Sequence, residues 1–466
     1  MNSRNIEKHF DNIAADYDYW KKKSWYYHKL IKQLFSTFVP TNQKVLEIGC
    51  GTGDVLTFLK PSLGYGVDIS EKMVRIARKK YPALHFLKQG IEDLNIRQKF
   101  DYIVLADLID HLPDIFVALL SLRKACHNNT KVIISTINPF WEPFLDLAEK
   151  LKLKMPEGEH NWVPLTSLTS LIEIADYEII ESGYRLLMPI YIPILSNVIN
   201  HFFQKIPVLK NFGFVQYIIF RKIPLKKSRA LNCSVIIPAF NEEDNIDPCI
   251  KRIPQIGKNM EIIVVDDGST DSTSKIVRSI IPKEKRVKLI SLSKNRGKVW
   301  AVKEGFDRAK GPVLIILDAD MSVPPEELKY FYQILASGKA EFINGTRMFY
   351  PLENQSMRQL NLWGNKIFGI IFSWMMQRNI SDTLCGTKAL LKNDYQKISM
   401  GGDPWGDFDL LFGATKLGLS VKEFPIHYKK RVAGESKMKT INHGIILTIM
   451  CLKGLYELKI KNKYSL

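Results

Sequence analysis

A chain of 466 residues exceeds what one hydrophobic core ordinarily supports, so two domains are expected. Hydrophobic residues make up 46% and charged residues 24%, a balance that excludes a disordered chain. The net charge of +18 calls for an anionic partner, and because no base-reading motif accompanies it, nucleic acid is excluded.

The opening, Met1 to Tyr19, is polar and acidic, which predicts no signal peptide. Apolar runs at 44–48, 63–68, 100–106 and 131–137 read as strands with helical patterns between them. Residues 221–231 are charged, carry Pro224 and lack apolar periodicity, and so read as a basic linker. The alternation resumes at 233–239, 260–266, 286–292 and 312–318. This rhythm predicts an α/β chain with two doubly wound domains, at 1–220 and 232–440, each a parallel sheet covered by helices. Six scattered cysteines without a CxxC pair read as reduced thiols of a cytoplasmic protein.

Charge is unevenly placed along that plan. Residues 1–220 hold 26 basic against 23 acidic side chains, whereas the last 39 hold nine against two. Each Lys or Arg near an anionic leaflet contributes about 1 kcal/mol, so the second half is expected at a membrane surface and the first half in solution. Leu186–Gln204, Leu360–Gln377 and Ile441–Tyr456 are apolar enough to test as spans, but polar residues interrupt each one. The latter two, with basic flanks, predict peripheral contact through amphipathic helices, the last within a tail at 441–466.

Two motifs carry chemistry. In the first half, Glu47-Ile48-Gly49-Cys50-Gly51-Thr52-Gly53-Asp54 follows an apolar strand. Glycines there let a cofactor approach the backbone. Gly53-Asp54 rules out a phosphate loop ending in Gly-Lys-Ser/Thr. With Gly64-Tyr65-Gly66-Val67-Asp68 and the opening His9-Phe10-Asp11-Asn12-Ile13-Ala14-Ala15-Asp16-Tyr17-Asp18, the pattern resembles the S-adenosylmethionine-dependent class I methyltransferases, of Rossmann-like fold. The resemblance implies that Glu47 orients the methionyl amine, Gly49, Gly51 and Gly53 line the cofactor, and Asp68 binds its ribose. It also implies a helix near the N-terminus that covers the cofactor. Gly90 stands where the family places the acid that touches adenine, leaving Glu92 or Asp93 as its replacement. Asp107, Asp110 and His111 follow the strand at 100–106, where this fold opens its substrate mouth, and His160 and Trp162 lie in a later loop. A histidine suits proton abstraction near neutral pH, and His111 is the candidate base.

In the second half, Ser234–Glu243 and Asp266-Asp267-Gly268-Ser269 are followed by Asn295-Arg296-Gly297-Lys298 and Asp318-Ala319-Asp320. Asn344-Gly345-Thr346-Arg347, Ser381–Lys388 and Arg431–Lys437 complete the series. This order resembles the family 2 inverting glycosyltransferases of GT-A fold, in particular dolichyl-phosphate mannose and polyprenyl-phosphate glucose synthases. Asp318 and Asp320, two apart after an apolar run, suit Mg²⁺ or Mn²⁺. The resemblance implies that Pro238, Glu242, Asp266 and Asp267 bind the nucleotide. The resemblance also places Lys298 at the substrate, and Arg347, Arg431, Ser436 and Lys437 form a largely cationic set suited to phosphate. Asp382 is implied near the acceptor as a base. Val299 replaces a frequent glycine, which would narrow the donor pocket, and Asp409 replaces a usual glutamate.

The expected enzyme is bifunctional. It moves a hexose from a UDP- or GDP-sugar onto polyprenyl phosphate at the cytosolic face of a membrane and methylates an intermediate of a surface glycan or glycolipid. The alternatives are a soluble glycan acceptor, with the first half only a binding module, and a nonenzymatic scaffold. The intact glycines and paired aspartates speak against the scaffold.

Overall fold

Runs rich in Val and Ile become the central strands of two sheets in the computed structural model. It describes residues 2–460 except 157, 159, 204–205, 207–208, 351–358, 404 and 432–439. The chain divides into two units, Met1–Leu225 and Lys226–Leu466. Arg221 and Lys222, expected in the linker, instead finish a strand.

In the first unit the strands are β1 (Lys44–Ile48), β2 (Leu63–Asp68), β3 (His85–Lys88), β4 (Phe100–Ala106), β5 (Cys126–Ile137), β6 (Tyr177–Arg185) and β7 (Val215–Lys222). Their order is β3-β2-β1-β4-β5-β7-β6. β1 to β5 run parallel, while β7 inserts antiparallel between β5 and β6, so the sheet is mixed rather than parallel throughout. Order reverses between β1 and β4. A crevice opens there beyond the strand ends, because the flanking connections leave on opposite faces.

The second unit repeats the plan with β8 (Cys233–Ala239), β9 (Met260–Asp266), β10 (Val287–Ser291), β11 (Val313–Ile316), β12 (Phe342–Thr346), β13 (Lys388–Leu391) and β14 (Val421–Pro425), in the order β10-β9-β8-β11-β13-β12-β14. β13 runs antiparallel to both neighbours. Here the reversal falls between β8 and β11.

The stretch expected as an amphipathic tail packs one face on the second unit. The helix Thr440–Leu455 packs on the helix Gln359–Met376, and Leu447 and Met450 join Phe372, Met375 and Phe412 in the core. The opposite faces remain apolar: Ile370 and Trp374 are exposed on one helix, Ile449 and Leu452 on the other. Among the described residues no helix is long and apolar enough to cross a membrane.

The helix contact is tight at Gly454, where a Cβ would lie 2.7 Å from the Phe412 ring. Gly454→Leu is therefore expected to destabilise the second unit by about 1–3 kcal/mol through overpacking. Exposed Leu452→Asp should stay within about 0.5 kcal/mol of the parent. Denaturant titration checks both, and equal effects would contradict this assignment of faces.

Candidate active sites

At the end of β1 the chain turns through Gly49 (φ +69°) and Gly51 (φ +51°), conformations that side chains rarely adopt. A Cβ on Gly49 would sit 2.7 Å from Leu108, so the residue type is set by packing as well as by φ. Asp68 at the end of β2 holds this turn: it accepts from the Gly51 N–H at 2.8 Å and the Ser70 N–H at 2.9 Å. The N-terminal helices are tied over it. Asp11 accepts from the Ser70 hydroxyl at 2.6 Å, and Asp18 from the Thr52 hydroxyl at 2.7 Å.

Together these elements enclose a cavity of about 410 Å³. Glu47, Gly49, Gly51, Asp68, Glu92 and His111 all line it, joined by Tyr17 and Lys21 from the covering helix. Gly53 stands behind the wall as the left-handed N-cap of the helix Asp54–Phe58. Burial pushes the Glu47 carboxyl up to about 8, against the pull of Lys21 and of the Leu56 N–H it accepts at 2.9 Å. Glu92, one of two candidates to replace the missing acid near position 90, keeps a buried carboxylate oxygen without a partner; Asp93 does not line the cavity. Asp107 carries an unusual φ of +51° and receives the Tyr27 hydroxyl at 2.7 Å. His111 meets Phe10 edge-on at 5.2 Å. Asp110 is tied to the Thr136 hydroxyl, and His160 and Trp162 lie outside the cavity wall.

In the second unit Asp318 and Asp320 follow β11, and each carboxylate faces a cation. Lys298 Nζ lies 2.6 Å from Asp318, and Arg431 lies 2.9 Å from Asp320. Burial opposes ionisation of Asp318, yet Lys298 outweighs it and holds the carboxyl below its ordinary range. Gly386 lies beside them, and a Cβ there would push on both the Asp318 carboxylate and Lys298 Nζ. Among the described residues no three His, Cys, Asp or Glu side chains gather as a metal-ligand group. Ser436 and Lys437 lie outside the described residues.

Asp266 and Asp267 face backbone donors. Asp267 accepts from the Arg296 and Gly297 N–H groups at 2.9 and 2.8 Å, pinning the loop that ends at Lys298. Asp266 accepts from the Ser269 N–H at 2.9 Å and from the Ser274 hydroxyl. Pro238 sits within β8, and Glu242 binds the Asn245 amide at 2.8 Å. Val299 is buried and packs towards Gly406. Asp409 accepts the Gly401 and Gly402 N–H groups at 2.8 and 2.7 Å and meets Lys453 at 3.4 Å, linking that loop to the C-terminal helix.

Asp382, expected near the acceptor as a base, lies in an ion pair. It is fully buried, and Arg347 grips both its oxygens, at 2.6 and 2.8 Å. Behind the pair lies Glu423, which the sequence reading missed although a lone acid in an apolar strand is a signal. It receives the Ser381 N–H at 2.8 Å and the Asp382 N–H at 3.2 Å, and burial pushes its carboxyl up to about 7.

Comparisons with known proteins agree with this division. Residues 234–399 match the family profile Glycosyl transferase family 2, and residues 19–182 match the profile Methyltransferase domain. The chain is similar to a dolichyl-phosphate beta-glucosyltransferase of Dictyostelium discoideum, 29% identical, over 42% of this chain and 65% of the relative. It is also similar to a dolichol-phosphate mannosyltransferase of Pyrococcus furiosus, 32% identical, over 45% of this chain and 60% of the relative. The chain thus spans less than two thirds of either relative's length. A solved SAM-dependent methyltransferase from Thermotoga maritima aligns with 47% of this chain and 100% of its own, at 19% identity and a TM-score of 0.38. The chain thus joins a segment matching the Methyltransferase domain profile to one matching the Glycosyl transferase family 2 profile.

Removing one partner of a buried ion pair leaves the other charge uncompensated. Asp382→Ala is expected to cost about 3–5 kcal/mol of stability in the second unit, measured by denaturant titration. A loss of sugar transfer with unchanged stability would instead give Asp382 a direct chemical role.

Proposed function

We propose that the second unit transfers a hexose from a nucleotide sugar to a polyprenyl phosphate, and that the first unit methylates an acceptor with S-adenosylmethionine. The observation that carries the sugar-transfer reading is the double pairing Lys298–Asp318 and Arg431–Asp320 at the crevice between β8 and β11. Two hard carboxylates, with donor phosphates completing the shell, fit Mg²⁺ or Mn²⁺. Such an ion, when bound, neutralises charge on the leaving diphosphate. Asp318 and Asp320 would hold the ion, and Lys298 and Arg431 beside them would hold phosphate oxygens. An oxygen of the lipid phosphate bonds to the sugar's anomeric carbon as the bond to the diphosphate breaks. That oxygen is already anionic, so no base is needed, which suits the enclosure of Asp382. Arg347 and Asp382 act as a positioning pair, and Pro238, Glu242, Asp266 and Asp267 shape the nucleotide's seat.

In the first unit the fit to the cofactor rests on the orphaned Glu92 oxygen and on Glu47 and Asp68 around one cavity. Glu92 would meet the adenine amine, Asp68 the ribose and Glu47 the methionyl ammonium. His111 at the same wall takes the acceptor's proton as the methyl group moves.

The exposed apolar stripes of the helices Gln359–Met376 and Thr440–Leu455, linked where Lys459 lies 5.4 Å from the Trp374 ring, support peripheral attachment to a cytosolic membrane face.

Asp320→Ala is expected to abolish sugar transfer while leaving S-adenosylmethionine affinity intact. Normal transfer by the unaltered enzyme in EDTA would contradict the metal assignment. The Glu47 carboxyl, near 8 in the free protein, is largely protonated at pH 7, whereas a cationic cofactor favours the carboxylate. Cofactor binding should therefore release a proton, and affinity should rise between about pH 6 and 8 and level off above. Calorimetry in buffers of different ionisation heat checks this, and a pH-independent affinity without proton release would contradict it.

A further inference from the structure

The helix Leu195–Phe203 is built inside out. Ser196 and Asn200 face the protein: Ser196 is fully buried, and its hydroxyl accepts from the Ile192 N–H and donates to the Ile190 carbonyl, both at 2.7 Å. Asn200 accepts from the Leu187 and Met188 N–H groups, each at 2.9 Å, and Asn197 accepts from the Tyr26 hydroxyl at 3.0 Å. Its apolar residues face solvent. Leu195, Val198 and Phe202, spaced i, i+3, i+7, form one exposed stripe that continues into Ile194, which is 78% exposed.

A second stripe lies on the helix Glu142–Lys150 and just beyond it, where Phe144, Leu147 and Leu151 are all exposed at the same spacing. One cavity is lined by Leu145 and Ala148 of the second helix and by Pro189 and Ile190 of the segment that Ser196 anchors just before the first. Ile190 and Leu153 line the cavity and are yet 69% and 62% exposed, so they mark its opening. Apolar surface of this extent is rare on a protein that meets only water.

Charge says what covers it. Among the described residues 20–25 and 142–154, the exposed charged groups are Lys22, Lys23, Lys150 and Lys152 against Asp146 alone. Lys23 Nζ binds the Lys152 carbonyl at 2.9 Å, which draws the two lysine pairs together. Apolar stripes beside clustered lysines match an anionic bilayer, whose acyl region takes the apolar residues and whose headgroups take the ammonium groups.

We infer that the methyltransferase unit docks on an anionic phospholipid bilayer by the face around its cavity opening, so that its methyl acceptor is a membrane-borne amphiphile. The acceptor class rests on reading the cavity as the methyl-transfer site; the docking face does not. The near-neutral charge of residues 1–220 led to the expectation of a unit in solution, but net charge does not report where apolar side chains point.

The test uses the full chain with phosphatidylcholine–phosphatidylglycerol vesicles. In the background Ile370→Asp/Leu452→Asp, which charges the other unit's apolar face, co-sedimentation should persist. Adding Val198→Asp/Phe202→Asp should weaken it at least tenfold, with S-adenosylmethionine affinity unchanged as a check on folding. Unchanged vesicle binding would overturn the docking face. So would a shift from dimer to monomer without vesicles, which would assign the face to a second copy of the chain. Monomeric dodecyl phosphate should bind the unaltered chain and bind at least tenfold more weakly to Ala148→Trp, which fills the apolar side of the cavity. Absence of dodecyl phosphate binding would overturn the acceptor class. Failure of S-adenosylmethionine to bind the unaltered chain would count against the reading of the cavity and not against the docking face.

Discussion

Both units depend on one constraint: the reversal of strand order at β1/β4 and at β8/β11. Parallel neighbours whose connections depart on opposite faces leave a gap beyond their carboxyl ends, and backbone groups there lack ladder partners. Each unit fills that gap with acids. In the first, Asp68 ties the glycine turn to β2; in the second, Asp267 ties the Lys298 loop to β9. The reactive groups stand on what these acids hold in place.

Acids that resemble catalysts in a sequence thus divide by where their lone pairs go. Asp382 and Asp409 are consumed by Arg347 and by loop N–H groups, and they shape the site from behind. Asp318 and Asp320 meet the partly exposed cations Lys298 and Arg431 instead. Glu92 keeps an oxygen unused within a closed wall. Burying a polar atom without a partner is costly, which is what supports the proposed adenine contact at that oxygen.

Much of this was legible before the structure. The central strands lay where Val and Ile cluster, and both signature turns fell at strand ends. What escaped was handedness of exposure. β7, a nearly unbroken apolar run, gave no hint of its antiparallel insertion, because burial on both faces erases alternation. Of the residues that disqualified Leu186–Gln204 as a span, Ser196 and Asn200 proved to face inward and turn the apolar stripe out. Conversely, Leu447 and Met450 of the expected tail face the core. Periodicity shows that a helix has two faces, while only tertiary packing decides which one is wet.

The most direct measurement incubates the purified chain with polyprenyl phosphate, a panel of nucleotide sugars and a divalent ion, and identifies the lipid by mass. A polyprenyl-phosphate hexose should form with one donor, and adding S-adenosylmethionine should not be needed for it. Hexose appearing only on a soluble glycan, with the lipid phosphate unchanged, would contradict the assignment of the second unit.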